Sequence, residues 1–455
     1  METFRTQKRS RTERADPLSL ERGVRQMLSD KVSGDMVGLW LLAPEHLRLG
    51  TWDLLCGWTA REPNQIEPRL GMQLVHEAAL CVTGVRQQRA LSQKGFELLN
   101  GLPFVAGDLA IHELLDQHTV AEAEALQMQL GVLRRARGHY QGKLLAIDPH
   151  RVRSYSKRLM CRYGGDSEHR PYKASQLFFC LDADTHQPVC FTLGSSAISA
   201  SQATPPLLRL ANHILQPAPG QTLVVADSEH FTAEIVDSCK GETPFDLLVP
   251  MDNTRSLLKQ MGAIPPETFV RQWAGFATTK LPYQMKRTGT GPHWLYVQRS
   301  GETQQDFQFR GFLSTRDGEE VDDLTTYYPK RWHVEEFFNA HQALGWQRAG
   351  TMNLNIRYGQ MTTALIAQAA IHQFRQRLGK PWNEWDAAHL ARSLFRGVDG
   401  DIRIFNDTVR VTLYNAPNPD SLREHYEDLP RKLAAEGVDP RVPWLYGYKL
   451  DFQFK

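Results

Sequence analysis

Tyr328, Arg331, Glu335 and Gln342 lie within Tyr-Pro-Lys-Arg-Trp-His-Val-Glu-Glu-Phe-Phe-Asn-Ala-His-Gln. Their offsets of three, four and seven residues would line them up on one face of an α-helix. That stripe would present an aromatic hydroxyl, a guanidinium and a carboxylate together. Val334, Phe337 and Phe338 supply an adjoining apolar face to anchor the helix. A carboxylate beside an arginine on an anchored helix suits a site that holds a metal ion and a phosphate at once. Glu336 is the rival carboxylate, but only Glu335 is in phase with Tyr328 and Arg331.

Two aspartates upstream match this need. Asp148 follows Leu-Leu-Ala-Ile and Asp227 follows Leu-Val-Val-Ala. Both apolar runs read as buried strands, and the carboxyl ends of strands in an α/β sheet are where ligands are usually held. Two such aspartates plus a helical glutamate can chelate hard divalent cations through oxygen. An aspartate after an apolar run also serves as a turn residue or helix N-cap, and that is the bland alternative for each alone. Asp182 and Asp184 sit in Asp-Ala-Asp-Thr and read as turn residues.

The elements that must position these groups follow from the pattern around them. Leu144–Ile147, Gln176–Leu181 and Pro188–Leu193 read as three strands, with a turn over 182–187. A helix over 204–215, a strand over 222–226, a helix over 232–238 and a strand over 245–250 come next. The segment 252–326 is β-rich, with strand-like runs at 292–297 and 307–313. A helix over about 326–344 and a long buried helix over about 355–378 follow. The expected class is α/β. Domain boundaries are expected at 1–16 (a basic tail), 17–138 (helical, a candidate DNA-binding domain) and 139–251 (the first part of the α/β core). The remainder divides into 252–326 (the β-rich insertion), 327–380 (the rest of the core) and 381–455 (a mixed C-terminal region that could dimerise). A hairpin joined at Asn406-Asp407 marks that last part.

Residues 150–173 carry seven basic side chains, including Arg151, Arg153, Lys157 and Arg158, against two acidic ones, with Tyr155, Tyr163 and Tyr172 interleaved. Such a cluster neutralises phosphates and gives salt-sensitive binding. A charged, solvated sheet edge is the alternative. Lys330, Arg348 and Arg357 add positive charge around the glutamate helix. His150, His333 and His341 match no zinc spacing.

Composition sets the outer bounds. The 455 residues carry 53 basic and 51 acidic side chains, a net charge of +2, so local clustering and not overall charge must select a partner. The six cysteines are scattered without a Cys-x-x-Cys pair, which points away from structural zinc and towards a reducing compartment. The N-terminus lacks the apolar core of a secretory signal, and no apolar run reaches the ~18 residues of a membrane span. A cytoplasmic protein is expected.

The motif resembles that of insertion-sequence DDE transposases of the branch marked by Tyr-x2-Arg-x3-Glu-x6-Lys, here Tyr328, Arg331 and Glu335. The resemblance covers roughly residues 100–375. It departs at the lysine position, where Gln342 brings no charge. The resemblance implies an RNase H-like core interrupted by the β-rich insertion before the last catalytic helix. It also implies that Asp148, Asp227 and Glu335 bind two Mg²⁺ ions, or Mn²⁺ as substitute. Water would then cut at the ends of a mobile element, and the freed 3′-hydroxyl would attack target DNA. Tyr328, Arg331, Gln342, Lys330, Arg151, Arg153, Lys157 and Arg158 would contact double-stranded DNA, and two copies would join two ends as a homodimer. Relatives flip a base at the cleaved end, for which Trp273 and Trp294 are stacking candidates, with core packing the alternative. The competing expectations are a degenerate relative that binds DNA ends without cutting, and a metal-dependent nuclease that does not transpose.

Overall fold

The computed structural model describes residues 16–59, 65–82, 91, 93–157, 159–164, 170–347 and 350–455. Residues 1–15 of the expected basic tail 1–16, with Arg158 and Arg348, lie outside the described residues. The chain forms two compact units. One comprises residues 131–339, the other residues 1–130 with 340–455.

The 131–339 unit is built on a nine-stranded mixed sheet. Its strands are β1 (Leu144–Arg153), β2 (Ala174–Asp182), β3 (Gln187–Ser195), β4 (Leu223–Val225), β5 (Asp246–Pro250), β6 (Val270–Trp273), β7 (Phe276–Tyr283), β8 (His293–Ser300) and β9 (Gln308–Ser314). The spatial order is β3-β2-β1-β4-β5-β9-β8-β7-β6. β1 pairs parallel with β4 and β4 parallel with β5, while every other pairing is antiparallel. The β-rich stretch therefore extends the sheet through β9, which hydrogen-bonds directly to β5.

β2 is buried along its whole length. That is the expected pattern for a strand covered on both faces, and it explains the unbroken run Leu-Phe-Phe-Cys-Leu. Helix α1 (Ala200–Leu215) packs on β2 and β3. Its start is fixed by a reciprocal cap, in which the Ser199 N–H donates to Gln202 Oε1 at 3.0 Å. The short helix α2 (Ala233–Asp237) leads back towards β5, and α3 (Arg255–Gly262) packs on β9.

The expected single helix over 326–344 is in fact segmented. A π-turn covers Asp323–Tyr327, a 3₁₀ turn Tyr328–Trp332, the α-helix α4 His333–His341, and a second 3₁₀ turn Gln342–Leu344. Pro329 at the start of the first 3₁₀ turn has no N–H to give, which favours a break there. His341 departs from helical geometry (φ −126°, ψ −6°), and Gly345 closes the run at φ 119°. Tyr328 and Arg331 thus precede, and Gln342 follows, the α-helix that carries Glu335, so the expected stripe on one α-helical face is corrected to three consecutive turns of different pitch. The anchoring face is as expected: Val334, Phe337 and Phe338 are buried.

In the other unit, the helix Leu354–Leu378 runs buried against Glu67–Ala79 and Asp108–Gln117. A five-stranded sheet holds the expected hairpin Asp399–Phe405/Thr408–Tyr414, turned at Asn406 (φ 55°). Val32–Gly34 flanks the first of these strands, and Tyr448–Phe454 runs parallel to the second. Arg357 is buried within the long helix at 2% exposure, so the surface charge expected from it is corrected. No helix among the described residues is long and apolar enough to cross a membrane.

Candidate active site

Asp148 lies in the middle of β1, not at its end, with Phe179 of β2 as its register partner. β4 accompanies β1 only as far as Ala146. Beyond that point one edge of β1 is open, which is why Pro149, lacking an N–H, is tolerated there. Asp148 therefore sits where β1 continues and β4 has stopped.

Asp227 follows β4 and caps the 3₁₀ turn Ser228–His230. Its Oδ1 accepts from the Glu229 N–H at 3.1 Å and contacts His230 Nδ1 at 2.7 Å. The N-cap reading and the ligand reading are thus compatible, because the cap occupies one carboxylate oxygen. His230 is buried and was not singled out from the sequence. Its signal was a histidine three residues after the aspartate, too common a spacing to stand out.

Glu335 lies in the first turn of α4. Arg331, one turn earlier, joins it to Asp148. Nη1 donates to Asp148 Oδ1 at 3.0 Å and Nη2 to Glu335 Oε1 at 3.3 Å. Helix α4 is held against β1 and β2 by Phe338, which stacks on His150 at 4.1 Å and meets Phe179 edge-on at 5.1 Å. Removing that ring to alanine would cost roughly 3–5 kcal/mol by the usual cavity penalty and would loosen Glu335.

The electrostatics show the crowding of like charge. Burial, followed by the charge of Asp227, pushes the Asp148 carboxyl up to about 7, against the pull of Arg331 and His230. Burial also raises Asp227, but the hydrogen bond and charge of His230, with Arg331, outweigh it and leave its pKa lowered. Burial works against the charge of Arg331, yet Asp148, Tyr328, Glu335 and Asp227 together raise its pKa. The Tyr328 phenol is raised by burial, opposed by Arg310 and Arg331. Its ring packs edge-on against Phe312 at 4.9 Å.

An all-oxygen, three-carboxylate donor set suits hard divalent cations. The Asp148 carboxyl is raised by its burial first and by the neighbouring Asp227 charge second. The Arg331 guanidinium serves as counter-charge to two of these carboxylates. Among the described residues, the group of three potential ligands whose atoms lie within 4.8 Å of one another is instead His186, His333 and Glu336. Glu336 thus turns away from Glu335 and towards the β2–β3 turn.

The expected DNA-contacting residues fall in several environments. Lys330 is tied to Asp184 at 2.7 Å. Arg151 pairs with Glu229, bonds Gln176 at 3.1 Å and lies over the Tyr163 ring. Arg153 and Lys157 are exposed. After β1, an open hollow of about 340 Å³ is lined, among the described residues, by Arg153, Tyr155, Arg162, Arg170, Tyr172 and Lys173 with backbone and small side chains. Gln342 belongs to the 340–455 part of the other unit. Trp273 is half exposed and stacks on Phe276 at 4.3 Å, while Trp294 lies beneath Lys280.

A family model described as a transposase DDE domain matches residues 139–369, just over half of the chain. No curated protein matches the sequence. Among solved structures, a cryo-EM structure of the piggyBac transposase synaptic complex with hairpin DNA is similar at a TM-score of 0.41 and 11% identity. That match covers 81% of this chain and 82% of the other.

Proposed function

Because the chain belongs to the transposase family defined by that DDE domain, we propose that it cuts DNA at the ends of a mobile element and joins the freed 3′-hydroxyls to target DNA. The observation that carries this reading is the meeting of Arg331 with Asp148 and Glu335, beside Asp227. Asp148, Asp227 and Glu335 would hold Mg²⁺ or Mn²⁺, in a pair. Bound there, such ions supply Lewis acidity at phosphate oxygens and activate the attacking water or hydroxyl.

The chain's own residues do the rest. Arg331 leaves its carboxylate partners for a phosphate, two oxygens of which its fork can bind in bidentate fashion. Tyr328 presents its hydroxyl next to that position. Asp227 keeps one oxygen engaged with His230 and Glu229, so the other is aimed by construction. The basic hollow after β1 holds the backbone through Arg153, Arg162, Arg170 and Lys173, with Lys157 nearby. Lys330 acts there by tethering the helix through Asp184, and Arg151 by tethering Glu229.

The strand order β3-β2-β1-β4-β5, antiparallel and then parallel, supports the RNase H-like assignment of the core. The reading extends to a homodimer that joins two DNA ends, acting in the cytoplasm at the nucleoid. Gln342, uncharged where the signature has lysine, favours one second reading: a relative that binds DNA ends without cutting.

Cleavage of labelled element-end DNA with Mg²⁺ or Mn²⁺ decides between them, with Asp227→Ala and Glu335→Ala alongside. Cutting that leaves a 3′-hydroxyl and vanishes in both variants supports the transposase. Tight, salt-sensitive binding without cutting under either metal selects the second reading.

A further inference from the structure

We propose that His186, His333 and Glu336 form a second cation site, for a borderline transition metal such as Zn²⁺, separate from the three-carboxylate site. One ligand atom from each lies within 4.8 Å of the others. His186 Nδ1 is 4.0 Å from Glu336 Oε2. The residues come from two elements, the β2–β3 turn and the first turn of α4, so no sequence spacing announces them.

The hydrogen bonding of His333 leaves it one ring nitrogen for a cation. Its Nδ1 lies 2.7 Å from the carbonyl oxygen of Ala183. A carbonyl only accepts, so Nδ1 carries the proton and Nε2 keeps its lone pair for a cation. A backbone carbonyl on the other ring nitrogen is the usual device for fixing a metal-binding histidine. His186 sits at φ 57° and stacks on His333 with ring centres 4.0 Å apart, tilted by 28°. Stacked rings point their lone pairs side by side, so His186 must turn about its side-chain bonds to converge. Its exposure allows that. Glu336, also exposed, supplies the oxygen.

Two imidazole nitrogens and one carboxylate oxygen, with a position open to water, match Zn²⁺, Co²⁺ or Ni²⁺ better than Mg²⁺. The β2–β3 turn is already tied to the base of α4 by Lys330–Asp184 and by His333 on Ala183. A metal would add a third tie at the turn of helix that carries Glu335. The site therefore acts as a structural staple, and neither DNA nor cleavage enters its definition.

The test uses the full chain, stripped of metal and carrying Asp148→Asn and Asp227→Asn to disable the carboxylate site. Co²⁺ alone is titrated and followed by its visible absorption, and Zn²⁺ is then used to displace it. The proposal expects one Co²⁺ per chain, displaced by Zn²⁺. Affinity should fall by about 10-fold or more in His333→Ala and His186→Asn, and stay unchanged in His213→Ala, an exposed histidine on α1. Zn²⁺ should raise the melting temperature of the parent and not of His186→Asn. His186 is exposed, so that variant keeps the test valid even if His333→Ala misfolds. Absence of a Co²⁺ spectrum, or binding that survives His186→Asn, overturns the proposal. Either result leaves the transposase reading untouched, since no DNA is present.

Discussion

The guanidinium of Arg331 is 3.0 Å from Asp148, a residue 183 positions away in the chain, and it also reaches Glu335. One side chain therefore neutralises parts of two elements that meet only in the fold. It is the counter-cation of the site before any ion or phosphate arrives. A cation entering the site competes with it, and a phosphate offers it a new partner.

Replacing Arg331 with alanine should therefore have opposite effects on metal and on chemistry. Without DNA, Mn²⁺ affinity measured by calorimetry should rise, because the competing cation is gone. Cleavage of element-end DNA should fall on the order of 10²-fold, the usual loss when one preorganised donor to a developing charge is removed. Parallel losses of both quantities would show that Arg331 merely holds the fold.

His230 should act through Asp227. Its Nδ1 contacts Asp227 Oδ1 at 2.7 Å from a buried position. His230→Ala should raise the Mg²⁺ concentration needed for half-maximal cleavage by about 10–100-fold, the range seen when the support of a ligand is lost. DNA affinity should hold. His230→Gln, which keeps an N–H donor, should recover part of the loss. A fall in maximal rate with no shift in Mg²⁺ requirement would count against a positioning role.

The acid–base behaviour of Asp148 makes a prediction of known sign. Its folded pKa, about 7, lies above the ordinary 3.8. The folded state thus holds this proton more tightly than the unfolded chain. The associated stability is complete below the ordinary value and is lost as pH rises through about 7. Metal-free protein should lose of order 2 kcal/mol from this group between about pH 5 and about pH 8, read as a falling melting temperature. Asp148→Asn should flatten that fall. A parent that stays equally stable across the range would show that Arg331 has already satisfied the carboxylate.

The sequence revealed the strands because their buried runs are continuous, as in Leu177–Leu181. It revealed α4's anchoring face because Val334, Phe337 and Phe338 repeat at helical spacing. It misplaced the end of β1, since Pro149 looks like a terminator unless one knows that β4 has already stopped and left that edge open. It drew one helix across 326–344 because periodicity survives short π and 3₁₀ turns that only hydrogen bonds disclose. The docking of the β2–β3 turn on α4, through Lys330–Asp184 and His333–Ala183, joins residues about 150 apart and has no local signature.

Gln342 offers the most direct test of how much the missing lysine matters. It opens a 3₁₀ turn just after α4 ends, and it is partly exposed. If the position meets a DNA phosphate, Gln342→Lys adds one neutralised charge. The slope of log affinity against log salt should then steepen by about 0.9, with the gain largest at low salt. Binding to element-end DNA over a salt series measures this directly. A steeper slope with faster cutting would mean that the natural glutamine tempers an active enzyme. A steeper slope with no cutting would place the defect at the carboxylates and not at DNA capture. An unchanged slope would mean that, once α4 has ended at His341, residue 342 no longer faces the phosphate that the signature assigns to it.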